Sequence, residues 1–64
     1  MIIVTKLNLQ EFIINSDLIE TIEETPDTVI TMTTGKKFVV KEQPNEIIDK
    51  ILTYKRNILL PVDK

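Results

Sequence analysis

The sequence holds no cysteine and no histidine among its 64 residues, no tryptophan, and a single glycine. Each absence removes a class of chemistry. Without cysteine there is no disulfide, and without either residue the usual nitrogen and sulfur ligands of transition metals are missing. Ser-His and Cys-His nucleophile pairs cannot be assembled. One glycine cannot build a phosphate-cradling glycine-rich loop. No apolar run approaches the roughly 18 residues of a membrane-spanning helix. Met1-Ile-Ile-Val-Thr-Lys6 carries no basic stretch ahead of its apolar residues, so a signal peptide is not expected. The absence of cysteine fits a reducing compartment, and the cytoplasm is the expected location.

What is present is an excess of apolar residues over what so short a chain can hide. A domain of this size buries only about 60% of the surface its unfolded chain exposes. Hydrophobic residues nevertheless make up 42% of the chain. Small domains usually add a disulfide, a metal or a partner subunit to such a core. Only the last is open here, so a homo-oligomer is expected, and no cofactor. Eight basic and ten acidic residues give a net charge of −2, which argues against nucleic-acid binding.

The clearest local signal runs from Thr28 to Lys41. Ile30 and Met32 alternate with Val29, Thr31 and Thr33, and Phe38 and Val40 alternate with Lys37, Val39 and Lys41. This period of two, rich in β-branched residues, describes two strands folded back at Gly35. A two-residue loop would place Met32 opposite Lys37 and mix the faces. A three-residue loop, Thr33-Thr34-Gly35 with the glycine left-handed, puts Ile30, Met32, Phe38 and Val40 on one face.

Ile2 to Leu7 and Glu11 to Asn15 read as an earlier hairpin. A two-residue loop at Asn8-Leu9 sets Lys6 opposite Glu11 and groups Ile3, Leu7, Phe12 and Ile14 on one face. Ile2, Val4 and Ile13 then share the other. Leu9 is an awkward occupant of that turn, which leaves a longer loop open. Asn15-Ser16-Asp17 is a turn cluster, with a single helical turn at Asp17-Leu18-Ile19, and Glu20 to Thr25 reads as a third strand. Thr25-Pro26-Asp27-Thr28 is a turn in which Pro26 pre-sets φ at the second position. Beyond Glu42 the period changes to that of a helix over about 44–57, with apolar residues at 47, 48, 51, 52 and 58. Pro44 suits its first position, and Glu46, Asp49, Lys55 and Arg56 complement its dipole. The expected fold is α+β and mainly β: one domain over 1–64, an antiparallel meander of about five short strands over 2–42. One C-terminal amphipathic helix covers Ile30, Phe38 and Val40, and an apolar tail, 58–64, follows.

Candidate sites are few. Glu20, Glu23 and Glu24 read as a solvated edge strand rather than a paired-carboxylate site. Lys36, Lys37 and Lys41, with Lys55 and Arg56, read as solubilising and dipole charges. No catalytic, cofactor or metal residue is expected, and the chain is not expected to be an enzyme. The second sheet face (Val4, Ile13, Val29 and Val39) and the terminal Ile58, Leu59, Leu60 and Val62 form the candidate protein interface.

In Val4-Thr-Lys-Leu-Asn8, Glu11-Phe12, Asp17-Leu-Ile-Glu20, Thr25-Pro-Asp-Thr-Val-Ile-Thr31 and Gly35-Lys-Lys-Phe-Val-Val-Lys-Glu42 the chain resembles the FlbD/SwrD family of small bacterial flagellar and swarming-motility proteins. It departs at Leu9, where the family often has glycine, at Thr34, where Asn is frequent, and at Gln43-Pro44, where a Ser-type cap is common. The resemblance implies a cytoplasmic protein of motile bacteria, possessing no enzymatic activity, that supports swarming or motor power through the stator units. It supplies no site residues. A chain of five strands and a helix is also similar to the carbon-storage translational repressors, so a small RNA-binding regulator is the alternative function.

Overall fold

The structure is a computed structural model that describes residues 1–59. Five strands precede the helix: β1 (Ile2–Thr5), β2 (Glu11–Ile14), β3 (Ile19–Glu24), β4 (Thr28–Met32) and β5 (Lys37–Val40). A single 3-10 turn, Ser16–Leu18, links β2 to β3, its start capped by the Asn15 side chain accepting from the Asp17 amide at 3.0 Å. The helix α1 spans Pro44–Leu59. β1 and β2 form one antiparallel pair and β3-β4-β5 a three-stranded antiparallel sheet, so the α+β, mainly β, class holds.

The second hairpin has the expected register. Ile30 faces Phe38, Thr28 faces Val40, and the Met32 amide donates to the Lys36 carbonyl at 2.8 Å. That leaves Thr33-Thr34-Gly35 as the loop, closed by the Gly35 amide donating to the Met32 carbonyl, with Gly35 at φ 90°. The β4 strand alternates buried and half-buried residues along its length, as the period of two requires.

The first hairpin corrects the two-residue loop. The pairs are Ile2–Ile14, Ile3–Ile13, Val4–Phe12 and Thr5–Glu11, one residue away from the expected register. Its loop is Leu7-Asn8-Leu9, built like the other: the Lys6 amide donates to the Gln10 carbonyl, the Leu9 amide donates to the Lys6 carbonyl, and Leu9 takes the glycine's place at φ 74°. A slip of one residue exchanges the faces of every side chain. Ile2, Val4, Phe12 and Ile14 therefore turn inward, and Ile3 and Ile13 turn outward.

At the third turn the Thr25–Pro26 bond is cis and the Thr25 amide donates to the Asp27 carbonyl at 3.1 Å. Pro26 thus sits at the tip between paired neighbours, not at the second position of the turn first expected.

The two sheets meet along β1 and β5. Lys6 and Val40 form an antiparallel bridge, and the Lys41 amide donates to the Thr5 carbonyl at 2.8 Å. Phe12 and Phe38 join across the same seam with ring centroids 5.2 Å apart. The Lys6 and Lys36 ammonium groups lie over those rings at 5.3 and 5.7 Å, so their stems cover the end of the core while their charges stay wet. Inside sit Ile2, Val4, Ile14, Ile30, Met32, Val40 and Ile47.

α1 begins on Gln43, whose carbonyl accepts from the Glu46 and Ile47 amides. The Glu46 carboxylate returns the bond, accepting from the Gln43 amide at 2.7 Å, which is half of a capping box. The helix joins Ile30 and Val40 in one core through Ile47, but leans mainly on β1 and β3 rather than on the β4–β5 hairpin. It also runs two residues beyond its expected end, taking in Ile58 and Leu59. The radius of gyration, 12.6 Å, exceeds the 10–11 Å or so of a compact chain this long, and the described residues are elongated, with extents of 42 × 24 × 18 Å.

Holding a leucine left-handed costs about 1 kcal/mol that a glycine does not. Leu9 is largely exposed, so its side chain offers little packing in return. Leu9→Gly is expected to raise stability by about 1 kcal/mol, or roughly 4–8 °C in the thermal midpoint. Gly35→Ala is expected to lower it by about the same, through backbone strain alone, because an added Cβ there meets nothing within 4 Å. Thermal melts of the two variants check both signs.

Candidate functional site

The expected interface residues separate into three groups. Val4 is a correction: it is 0% exposed at the centre of the core and cannot meet a partner, because the one-residue change of register turns it inward. Ile13, Val29 and Val39 do lie outward, Ile13 at 65% and Val39 at 41% exposure, with Val29 half-buried between its neighbours. Ile58 stands 59% exposed near the end of α1. The Leu59 side chain, Leu60 and Val62 lie outside the described residues.

Sequence reading missed Ile3. It is the direct cross-strand partner of Ile13 and is 49% exposed on the same outward side. No residue type marked it, because Leu9 holds at φ 74° the left-handed place that Gly35 marks in the second hairpin. A second missed feature is an exposed stripe on α1, Ile48 and Leu52, one turn apart and facing away from the buried Ile47.

Ile3 borders an open groove. It lies between the start of β1 and α1, encloses about 460 Å³, and is lined by Met1, Ile3, Lys50, Tyr54 and Asn57 among others. The groove is mostly apolar, with Asp49 and Lys50 supplying opposite charges on one side. Such a surface suits contact with another apolar surface carrying a few polar groups. Among the described residues no three acidic side chains converge on a common point. Lys36 lies over Phe38 and Lys55 donates to Asp17 at 3.0 Å, so these two members of the expected basic set are engaged by different elements.

The polar centre of the molecule is the seam below this surface. The Thr5 amide donates to Glu42 Oε1 at 2.9 Å and the Thr5 hydroxyl to Oε2 at 2.8 Å. Burial pushes the Glu42 carboxyl up. The two Thr5 hydrogen bonds, its own amide and the Lys50 charge outweigh that and hold it below its ordinary value.

The fold and its surface define a small antiparallel α+β domain whose outward features include paired apolar side chains and an apolar groove between β1 and α1. Among the described residues no helix is long and apolar enough to cross a membrane. The chain belongs to the FlbD family, flagellar and swarming motility proteins, which it matches over residues 1–59. Neither the curated proteins nor the solved structures gave a match.

A carboxylate with a lowered folded pKa adds stability above its unfolded pKa and loses it as pH falls through the folded value. Glu42→Gln is therefore expected to be less stable than the parent by about 1–2 kcal/mol at neutral pH, given the partial exposure of the site. The two curves should converge as pH falls from neutral through the ordinary carboxylate range and below it. Urea melts across that pH range read the difference directly.

Proposed function

We propose that this chain supports flagellar motility and swarming by protein–protein contact, acting from the cytoplasm on a motor or stator component and carrying no reaction of its own. The family supports the process. The means is supported by one observation above the rest, the outward Ile3–Ile13 pair beside the β1–α1 groove. Two isoleucines exposed side by side in so small a domain are unfavourable in water and favourable in a contact. The same surplus of apolar surface supports self-association as part of the function.

In a motile bacterium carrying this gene, deletion is expected to abolish swarming while filaments still assemble. Complementation with the parent restores it. Ile13→Glu should leave stability within about 0.5 kcal/mol, because the residue is exposed, yet fail to restore swarming. A folded, normally abundant Ile13→Glu protein that supports full swarming would remove this surface from the function. RNA affinity that falls steeply with added salt would replace the reading with an RNA-binding regulator.

A further inference from the structure

We propose that the outward face of the β3-β4-β5 sheet is the docking surface for a second copy of this chain, related to the first by a two-fold axis running along β4. This rests on the reading of the chain as one that works by protein contact, and it names one of the contacts. The register sets Glu23, Val29 and Val39 in one cross-strand row and Thr31 with Lys37 in the next on the same side. The core holds the opposite side through Ile22, Ile30 and Phe38, and α1 lies there too. Val39 is 41% exposed and Glu23, Lys37 and Lys41 are exposed.

The charges decide the occupant. Acid stands on β3, at Glu23, and base at Lys37 on β5 and at Lys41 just past its end, on either side of Val39 in the sequence. The apolar Val29 lies between them on β4. Within the chain, among the described residues, the ion pair at contact distance is Lys55–Asp17, so Glu23 and Lys37 find no opposite charge there. Turning a second copy about an axis along β4 lays its β5 over β3 of the first. Glu23 then lies over Val39 of the other copy, flanked along the strand direction by its Lys37 and Lys41, twice per dimer, with the two Val29 side chains facing each other across the axis. Stacking in which β3 met β3 would oppose like charges. The face thus complements itself under one operator, the signature of an isologous contact. Three short strands offer less than the roughly 800 Å² per partner of a standard interface, so the dimer should be weak and micromolar, and should loosen with salt.

Sedimentation velocity from roughly 1 µM to 1 mM tests this. The parent should dimerise. Glu23→Lys and Lys37→Glu, each checked for folding by circular dichroism, should each weaken self-association about tenfold or more by opposing like charges. An equimolar mixture of the two should dimerise again, because both contacts between positions 23 and 37 in the mixed dimer join opposite charges. A parent that stays monomeric throughout overturns the proposal, as does a mixture that associates no better than its components. Swarming that needs the gene while the protein stays monomeric sinks the dimer alone. A dimer whose gene is dispensable for swarming sinks the functional reading and leaves this face in place.

Discussion

The bidentate grip of Glu42 on Thr5 is the constraint from which the rest of the architecture follows. Neither hairpin is independently stable at this length, since two- and three-stranded sheets need a covered face. Lys41 and Glu42 leave β5 and are tied at once to the last residue of β1. That tie brings the two sheets side by side, closes the Phe12–Phe38 contact, and sets the start of α1 next to β1. In a chain without disulfides, charge-assisted hydrogen bonds at a half-buried site are the strongest local link on hand. Among the described residues the core they hold together contains seven buried apolar side chains, each contributing about 1.5–3 kcal/mol by burial. A core of that size leaves little margin against the conformational entropy of ordering the chain.

Much of this is legible in the sequence alone. The run from Thr28 to Lys41 reads correctly because its period, its β-branched residues and its glycine agree on one register. The helix reads correctly as to type and start, since Pro44 and Glu46 mark it and the carboxylate of Glu46 completes the cap. Its far end does not, because an apolar Ile58-Leu59 continues a helix as well as it begins a tail. The first hairpin misleads for a single reason. A leucine occupies the left-handed place that a glycine marks in the second hairpin, and a left-handed leucine has no sequence signature. That one concealed residue moved the register by one, and with it Val4, Ile3 and every partner they have. The Thr5–Glu42 tie was invisible for another reason, since nothing in local spacing relates residues 37 positions apart.

The family and the geometry bear on different questions. Membership assigns the chain to flagellar and swarming motility without saying how it acts. The structure describes what it can present to another molecule: an apolar groove, an isoleucine pair, and a sheet face with acid and base on opposite flanks. Apolar centres with charged margins are the composition of protein contacts, where burial supplies affinity and charge fixes orientation.

A layer of strands has two faces and a single helix covers one. Alternation along each strand sends half of the side chains outward whatever their chemistry. On an ordinary antiparallel sheet those outward positions are polar, and Thr21, Glu23, Thr31 and Lys37 follow that pattern here. The exceptions are not scattered. Ile3 lies directly opposite Ile13, and Val29 directly opposite Val39, one pair in each sheet. Isolated exposed apolar residues are normal and carry no message, whereas cross-strand pairs make patches. Placing both members of two pairs outward costs solubility twice over, in a chain with few residues to spare. A contact that removes them from water recovers that cost, and inward burial cannot, because the period of the strand forbids it.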